Sequence, residues 1–178
     1  PLGLRQALES GDCVLFIGAG IGWHLNVAGS PLPDASTLAT MLASEFKIDA
    51  GDSKDLTKIS QIVEIRKGRA ELETSIKKRI CNPEPDDALK WISTIRWKAI
   101  FTTNYDNGIE QVYAKTANVH QTLVPIAATS EITNFDRRFQ VPLYYLHGRL
   151  CAADKPKIII TENDYAEFRK QRGMMFSL

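Results

Sequence analysis

The chain is poor in cysteine, and no two of its cysteines form a local pair. Cys13, Cys81 and Cys151 are the only three, with no Cys-x-x-Cys and no histidine at ligand spacing. A structural zinc site needs four ligands, usually taken as close pairs, so neither a zinc ribbon nor any other metal site is expected. The odd number argues against a disulfide framework, and the three read as isolated, small, buried hydrophobes. An excess of charge is also missing. Lys and Arg number 22 against 21 Asp and Glu, a net charge of +1. That balance excludes a strongly basic nucleic-acid-binding domain, so nucleic acid is not indicated as a partner. The longest strongly apolar run, Val14–Ile21, is broken by glycines and far too short to span a bilayer, so no membrane partner is expected. No basic segment leads into an apolar one, so no signal peptide is visible and the cytoplasm is the default compartment. The chain begins at Pro1 rather than Met and reads as a piece of a longer protein.

What is present is a globular composition. An apolar content of 44% in 178 residues supports one sizeable core. Leu4 to Ser10 reads as a short helix stopped by Gly11. Cys13 to Ile17 is a continuous apolar run, the pattern of a strand buried on both faces in a parallel sheet. After it come Gly18-Ala19-Gly20-Ile21-Gly22 and an irregular stretch, Trp23–Pro33. Four helical patterns follow: one capped by Asp34 or Ser36; one over Leu56, Ile59, Ile62 and Val63; one over Leu72, Ile76 and Ile80; and one capped by Asp86. Strand patterns then return at Lys98–Thr102, Val119–Val124 and Val141–Leu146, with a further apolar run at Lys157–Ile160. A helix near Gly108–Lys115 intervenes, and Thr161 is placed to cap a last one, with Asp164 at its third position. The fold class expected is α/β, a Rossmann-like parallel sheet with a helical insertion over about 34–94 after the first strand.

Four polar motifs stand at the carboxyl ends of these strands, where ligands bind in open parallel sheets. Gly18-Ala19-Gly20 suits either close approach of a phosphate to backbone N–H groups or an ordinary strand-to-loop turn. Its third glycine, Gly22, gives G-x-G-x-G rather than the dinucleotide fingerprint G-x-G-x-x-G. Thr102-Thr103-Asn104-Tyr105-Asp106 puts an amide and a carboxyl two residues apart, on one side of an extended chain. They suit sugar hydroxyls or a positioned water, or else the capping of the next helix. His147-Gly148 offers an imidazole at a strand end, as a general base or as a structural histidine. Thr161-Glu162-Asn163-Asp164-Tyr165 is largely explained as a helix start.

In that order the motifs FIGAGIG, IFTTNYDNGIEQ, LHG and IITENDYAEF resemble the SIR2-like domains of the sirtuin superfamily, from about Leu4 to Phe168. The likeness is closest to the zinc-free domains of bacterial anti-phage defence proteins. It implies that residues 1–178 form one SIR2-like domain lacking its carboxyl-terminal part, because such domains continue past the point where Met174–Leu178 stands. It also implies NAD as substrate and no metal. Gly18, Ala19 and Gly20 would approach the pyrophosphate, with Thr103 and Asp106 in the nicotinamide and ribose pocket. Asn104 would act at the nicotinamide ribose, and His147 as catalytic base or ribose ligand. The family's serine after Gly-Ala-Gly-x is Gly22 here, so a hydroxyl contact is lost.

The activity this implies is NAD hydrolysis to nicotinamide and ADP-ribose by the effector domain of a defence protein, working as a homo-oligomer with a sensor domain or partner. The alternatives are an NAD-dependent protein deacylase and a non-catalytic module that binds NAD or an ADP-ribose nucleotide. The missing zinc ribbon, beside which deacylating relatives hold acyl-lysine, disfavours the deacylase.

Overall fold

The computed structural model describes residues 2–49, 51–127, 135–152 and 158–172. Lys157 and the Met174–Leu178 terminus fall outside the described residues. Helix α1 (Leu2–Ser10) turns at Gly11, whose φ of +74° favours glycine, and leads into β1 (Val14–Ile17). The later strands of the same sheet are β5 (Ala99–Thr102), β6 (Thr122–Ile126) and β7 (Gln140–Tyr145). They pair in the order β1-β5-β7-β6, all parallel, so an α/β fold with a parallel sheet is what forms. Helix α6 (Gly108–Lys115) crosses from β5 to β6. Its Ile109, Val112 and Tyr113 pack with Ile17, Ile100, Val141, Leu143 and Tyr145 on one face of the sheet.

Between β1 and β5 lies the helical insertion. Its main helices are α2 (Ala35–Glu45), α3 (Leu56–Lys67) and α4 (Arg69–Ile80). Asp34 caps α2 by accepting from the Thr37 N–H, and Asp55 caps α3 by accepting from Thr57 and Lys58. Their apolar faces make a second core of Leu38, Leu42, Ile59, Val63, Leu72 and Ile76. The same cluster takes in Leu150, Ile158 and Ile160 from beyond β7. The insertion therefore sits as a cap on the segments that follow the strands.

At the carboxyl end of the described residues, α7 (Glu162–Arg172) starts as the sequence indicates. Thr161 Oγ1 accepts from the Asp164 N–H at 3.2 Å, and Asp164 returns the contact by accepting from the Thr161 N–H at 3.0 Å. Asp164, 2% exposed, also accepts from Arg69 Nη1 of α4 at 2.7 Å. Arg69 reaches Glu73 at 2.8 Å and donates to the Ile158 carbonyl as well, so one guanidinium ties the cap to the strand-to-helix corner.

Several expectations need correction. Cys81 and Cys151 are not isolated hydrophobes: they form a disulfide, and both are partly exposed. Cys13 is the free thiol. The bond joins residues seventy apart in sequence, a contact that spacing alone does not reveal. β1 is not buried on both faces. It is an edge strand, with Phe16 63% and Val14 52% exposed on the face away from α6. The stretch after the glycine loop is not wholly irregular. It holds a 3-10 turn (Ala19–His24) and two short strands, β2 (Leu25–Val27) and β3 (Ser30–Pro31). These form a small antiparallel sheet with β4 (Glu84–Pro85). The fourth helical pattern is a 3-10 turn (Asp87–Leu89), capped by Asp86, and the one-turn α5 (Trp91–Thr94). The strand expected at Val119–Val124 begins later, at Thr122, and Ile158–Ile160 is a buried segment outside the sheet. Among the described residues no helix is long and apolar enough to cross a membrane.

Candidate functional site

The parallel strands end beneath the cap, and there the structure opens a cavity of about 520 Å³. Its floor is the loop after β5: Thr103, Asn104, Tyr105 and Asp106. One wall is the glycine loop after β1, through Ala19 and Gly22, and another is His147 after β7 with Tyr165 of α7. The cap closes over it with Ser36 of α2, Lys54 and Asp55 before α3, and Ile80 at the end of α4. Sequence motifs far apart in the chain therefore meet at one site.

The glycine loop shows why its first two glycines matter. Neither Gly18 nor Gly20 has positive φ, and a Cβ built on either meets nothing within 4 Å. Neither backbone conformation nor packing requires glycine there. What a side chain at these positions would occupy is open space beside the backbone, the space a bound phosphate needs. Gly22 differs: a Cβ there would stand 3.3 Å from Leu32 Cβ, so this glycine serves close packing of the loop on the residue before Pro33. We therefore expect Gly20→Ala to fold with an unchanged melting temperature and to lose affinity for ADP-ribose by at least about tenfold in calorimetry, roughly 1.4 kcal/mol. Unchanged affinity would show that ligand does not approach this backbone.

The β5 loop is fixed from both sides. The Asn104 N–H donates to Thr102 Oγ1 at 3.0 Å, and Asn104 Nδ2 donates to the Gly18 carbonyl at 3.3 Å. The amide thus links the loops of two adjacent strands at the cavity floor. Asp106 is 8% exposed and accepts from the Gly108 N–H at 2.8 Å. Burial pushes its carboxyl up to about 6, and the nearby Glu110 charge adds to this. The hydrogen bonds from Gly108 and Asn104 pull the other way without cancelling the burial. Asp106 supports the start of α6, as the capping reading expects, and it also lines the cavity. Gly108 has no room for a side chain: a Cβ would lie 2.4 Å from Leu25 Cδ1 and 2.8 Å from Asp106 Oδ1.

His147 leaves β7 on a turn made by Gly148, whose φ is +88°. The His147 carbonyl accepts from the Ile159 N–H at 2.8 Å. Its ring is walled by Tyr105, Tyr165 and Phe168, with centroids at 6.3, 5.4 and 5.6 Å. Tyr105 donates its hydroxyl to the Ile159 carbonyl at 2.7 Å, and burial holds that hydroxyl well above its ordinary range. Behind the histidine, Arg149 Nε and the Tyr145 hydroxyl both donate to Glu110 Oε1, at 2.8 and 2.7 Å.

Of the expected site residues, Ala19, Thr103, Asn104, Asp106 and His147 line the cavity, while Gly18 and Gly20 shape the loop beside it. Tyr105, Tyr165, Lys54 and Asp55 were not singled out from the sequence, and Ser36 only as a candidate helix cap. The two tyrosines sit inside motifs that were, TTNYD and TENDY, whereas nothing local marks the cap residues as part of a site.

A parallel sheet with a glycine-flanked cavity at its strand ends has the arrangement in which open α/β sheets bind their ligands. Comparison with protein families adds a likeness: residues 98–177 match the family model of the SIR2-like domain, to which this stretch is similar. The match associates the chain with NAD-related activity. It spans Asn104, Asp106 and His147, and the fold brings the glycine loop, which lies before it, against the same cavity. No curated protein matches the chain.

Proposed function

We propose that the protein is an NAD hydrolase, splitting the bond between nicotinamide and ribose to give nicotinamide and ADP-ribose. The observation that carries the reading is the meeting of the glycine loop, Asn104, Asp106 and His147 around one cavity. On this reading the chain works as one SIR2-like unit with residues 34–94 as its cap. The resemblance of its motifs to defence-protein domains further suggests an NAD-depleting effector in the cytoplasm, coupled to a sensor domain or partner and acting as an oligomer.

The residues suit the chemistry. Nicotinamide leaves NAD as a neutral molecule, so no strong acid is needed to expel it, and positive charge develops on the ribose. Fixed dipoles and a carboxylate stabilise that charge best when they are already in place. Asp106, ionised above its raised pKa, supplies the carboxylate on the cavity floor. Asn104, held by the Gly18 carbonyl, orients a ribose hydroxyl or the attacking water. The water oxygen bonds to the ribose carbon as the nicotinamide bond breaks, and His147 accepts the proton released. The glycine-loop backbone is left to hold the phosphates.

The test is product analysis with the His147→Ala variant alongside. The protein incubated with NAD should yield free ADP-ribose and nicotinamide without any acyl-lysine peptide. O-acyl-ADP-ribose formed only with such a peptide would make it a deacylase, and binding without turnover would make it a nucleotide-binding module. His147→Ala should lower nicotinamide release at saturating NAD by about 100-fold, with affinity for ADP-ribose changed less than about threefold. Collapsed affinity with normal single-turnover cleavage would make His147 a binding residue.

A further inference from the structure

We propose that the Cys81–Cys151 pair is a redox-responsive clasp that sets the nucleotide affinity of the cavity; this rests on the reading of that cavity as an NAD site. The bond lies where the cap meets the catalytic loops. Cys81 directly follows Ile80, the last residue of α4 and part of the cavity lining. Cys151 directly follows Leu150, whose N–H donates to the Tyr105 carbonyl at 3.0 Å, and its own sulfur stands 3.7 Å from that carbonyl. The clasp therefore joins the end of α4 to the segment after His147, against the backbone of the TTNYD loop.

A second link runs beside it. Asn82, with a left-handed φ of +55°, donates its N–H to Asn107 Oδ1 at 2.7 Å and accepts from Asn107 Nδ2 at 2.9 Å. Asn107 adjoins Asp106. Displacement of Cys81 is thus transmitted through Asn82 to the residue next to the buried carboxyl on the cavity floor. Other polar ties between the cap and the segments after the strands lie elsewhere: Arg69 with Asp164 at the amino-terminal start of α4, and Gln61 Oε1 of α3, which accepts from the Asn163 N–H at 3.1 Å. Opening the disulfide therefore loosens the α4 end that lines the cavity, leaving Asn82 as its polar link to the TTNYD loop.

Chemistry and access favour a reversible bond. Both cysteines are partly exposed, so the bond is not sealed inside the core. The exchange balances: the protein disulfide takes two electrons and two protons from the dithiol, giving the Cys81 and Cys151 thiols and the oxidised reductant. In a reducing compartment such a bond is transient and serves sensing rather than construction. Because binding and redox equilibria are linked, whatever factor oxidation adds to nucleotide affinity, bound nucleotide adds to resistance against reduction.

The test uses the whole chain, a dithiol titration and ADP-ribose as probe. Oxidised protein should show one reactive thiol and reduced protein three, matching Cys13 alone and then every cysteine in the chain. On reduction, amide exchange should accelerate at residues 80–82 and 103–107, and ADP-ribose affinity should fall by about tenfold. Saturating ADP-ribose should shift the reduction midpoint by the same factor, about 30 mV for two electrons. The Cys81→Ser, Cys151→Ser double variant should match the reduced state and ignore reductant, while Cys13→Ala keeps the response. Three reactive thiols under oxidising conditions, or reduction that leaves exchange at 103–107 unchanged, overturns the clasp. Should the double variant not fold, the titration of unaltered protein decides alone. If ADP-ribose binds in neither redox state, the NAD reading fails, and the exchange result still decides the clasp.

Discussion

Asn104→Ala should reduce single-turnover NAD cleavage by at least about 100-fold while costing the fold no more than about 1.5 kcal/mol. The asymmetry follows from its contacts. The side chain donates to the Gly18 carbonyl at 3.3 Å and also hydrogen-bonds the Asp106 carboxyl, while the backbone bond to Thr102 Oγ1 survives the substitution. Stability therefore loses little more than one partly exposed hydrogen bond, because the Asp106 carboxyl keeps the Gly108 N–H. The rate loses the group that fixes the geometry between the β5 loop and the glycine loop. The measurement is nicotinamide release from saturated enzyme, with a denaturant melt alongside. Cleavage within a few-fold of normal would remove Asn104 from the reacting centre, and a loss of stability well beyond one hydrogen bond would make it chiefly structural.

Asp106→Asn should separate stability from activity in the opposite sense. With its carboxyl raised from 3.8 to about 6, the native state holds a proton that the unfolded chain releases. Its contribution is fully present below about pH 3.8 and is lost as pH rises through about 6. Above that, holding the buried carboxylate costs about 3 kcal/mol relative to the protonated form. The amide variant can still accept from the Gly108 N–H and carries no charge to desolvate. It should therefore melt several degrees higher than the parent at pH 8, with the difference vanishing near pH 4. Cleavage, which on the proposed mechanism needs the ionised carboxylate, should rise through about pH 6 in the parent and be nearly abolished in the variant. Equal destabilisation by Asn at both pH values would show that the carboxylate is stably ionised and that burial does not dominate. Such a gain of stability with loss of function is the expected mark of a charge kept buried for chemistry.

How much of this was legible in the sequence depends on how local each cause is. The apolar run before Gly18, the helical spacing from Leu56 to Ile80, and the caps Asp34 and Thr161 are short-range signals, and each marks an element the structure contains. The site motifs were legible as well, because polar residues crowded at a strand end need partners. What escaped was non-local or short. β2, β3 and β4 span two or three residues each, too few for an alternation to register. The apolar run of β1 reads the same whether the strand is central or at an edge. The Cys81–Cys151 bond and the Arg69–Asp164 tie join residues whose spacing carries no pattern. Gly22 was read as a missing hydroxyl, whereas the structure gives it a packing reason against Leu32.

The connection between β1 and β5 carries a consequence for how the protein reaches its native state. These neighbouring parallel strands, with Val14 opposite Ala99, cannot pair until the ends of the whole intervening cap come together. The cap helices, by contrast, are built from near neighbours in the chain. Contacts of short sequence separation form early, and those closing long loops form late. The cap should thus condense first and shorten the loop that the strands must close. Gly18 and Asn104 belong to the two segments that this late step joins. On the proposed function, catalytic competence would then be the last property acquired on folding, and a nascent or damaged chain would have a helical cap before it could cleave NAD.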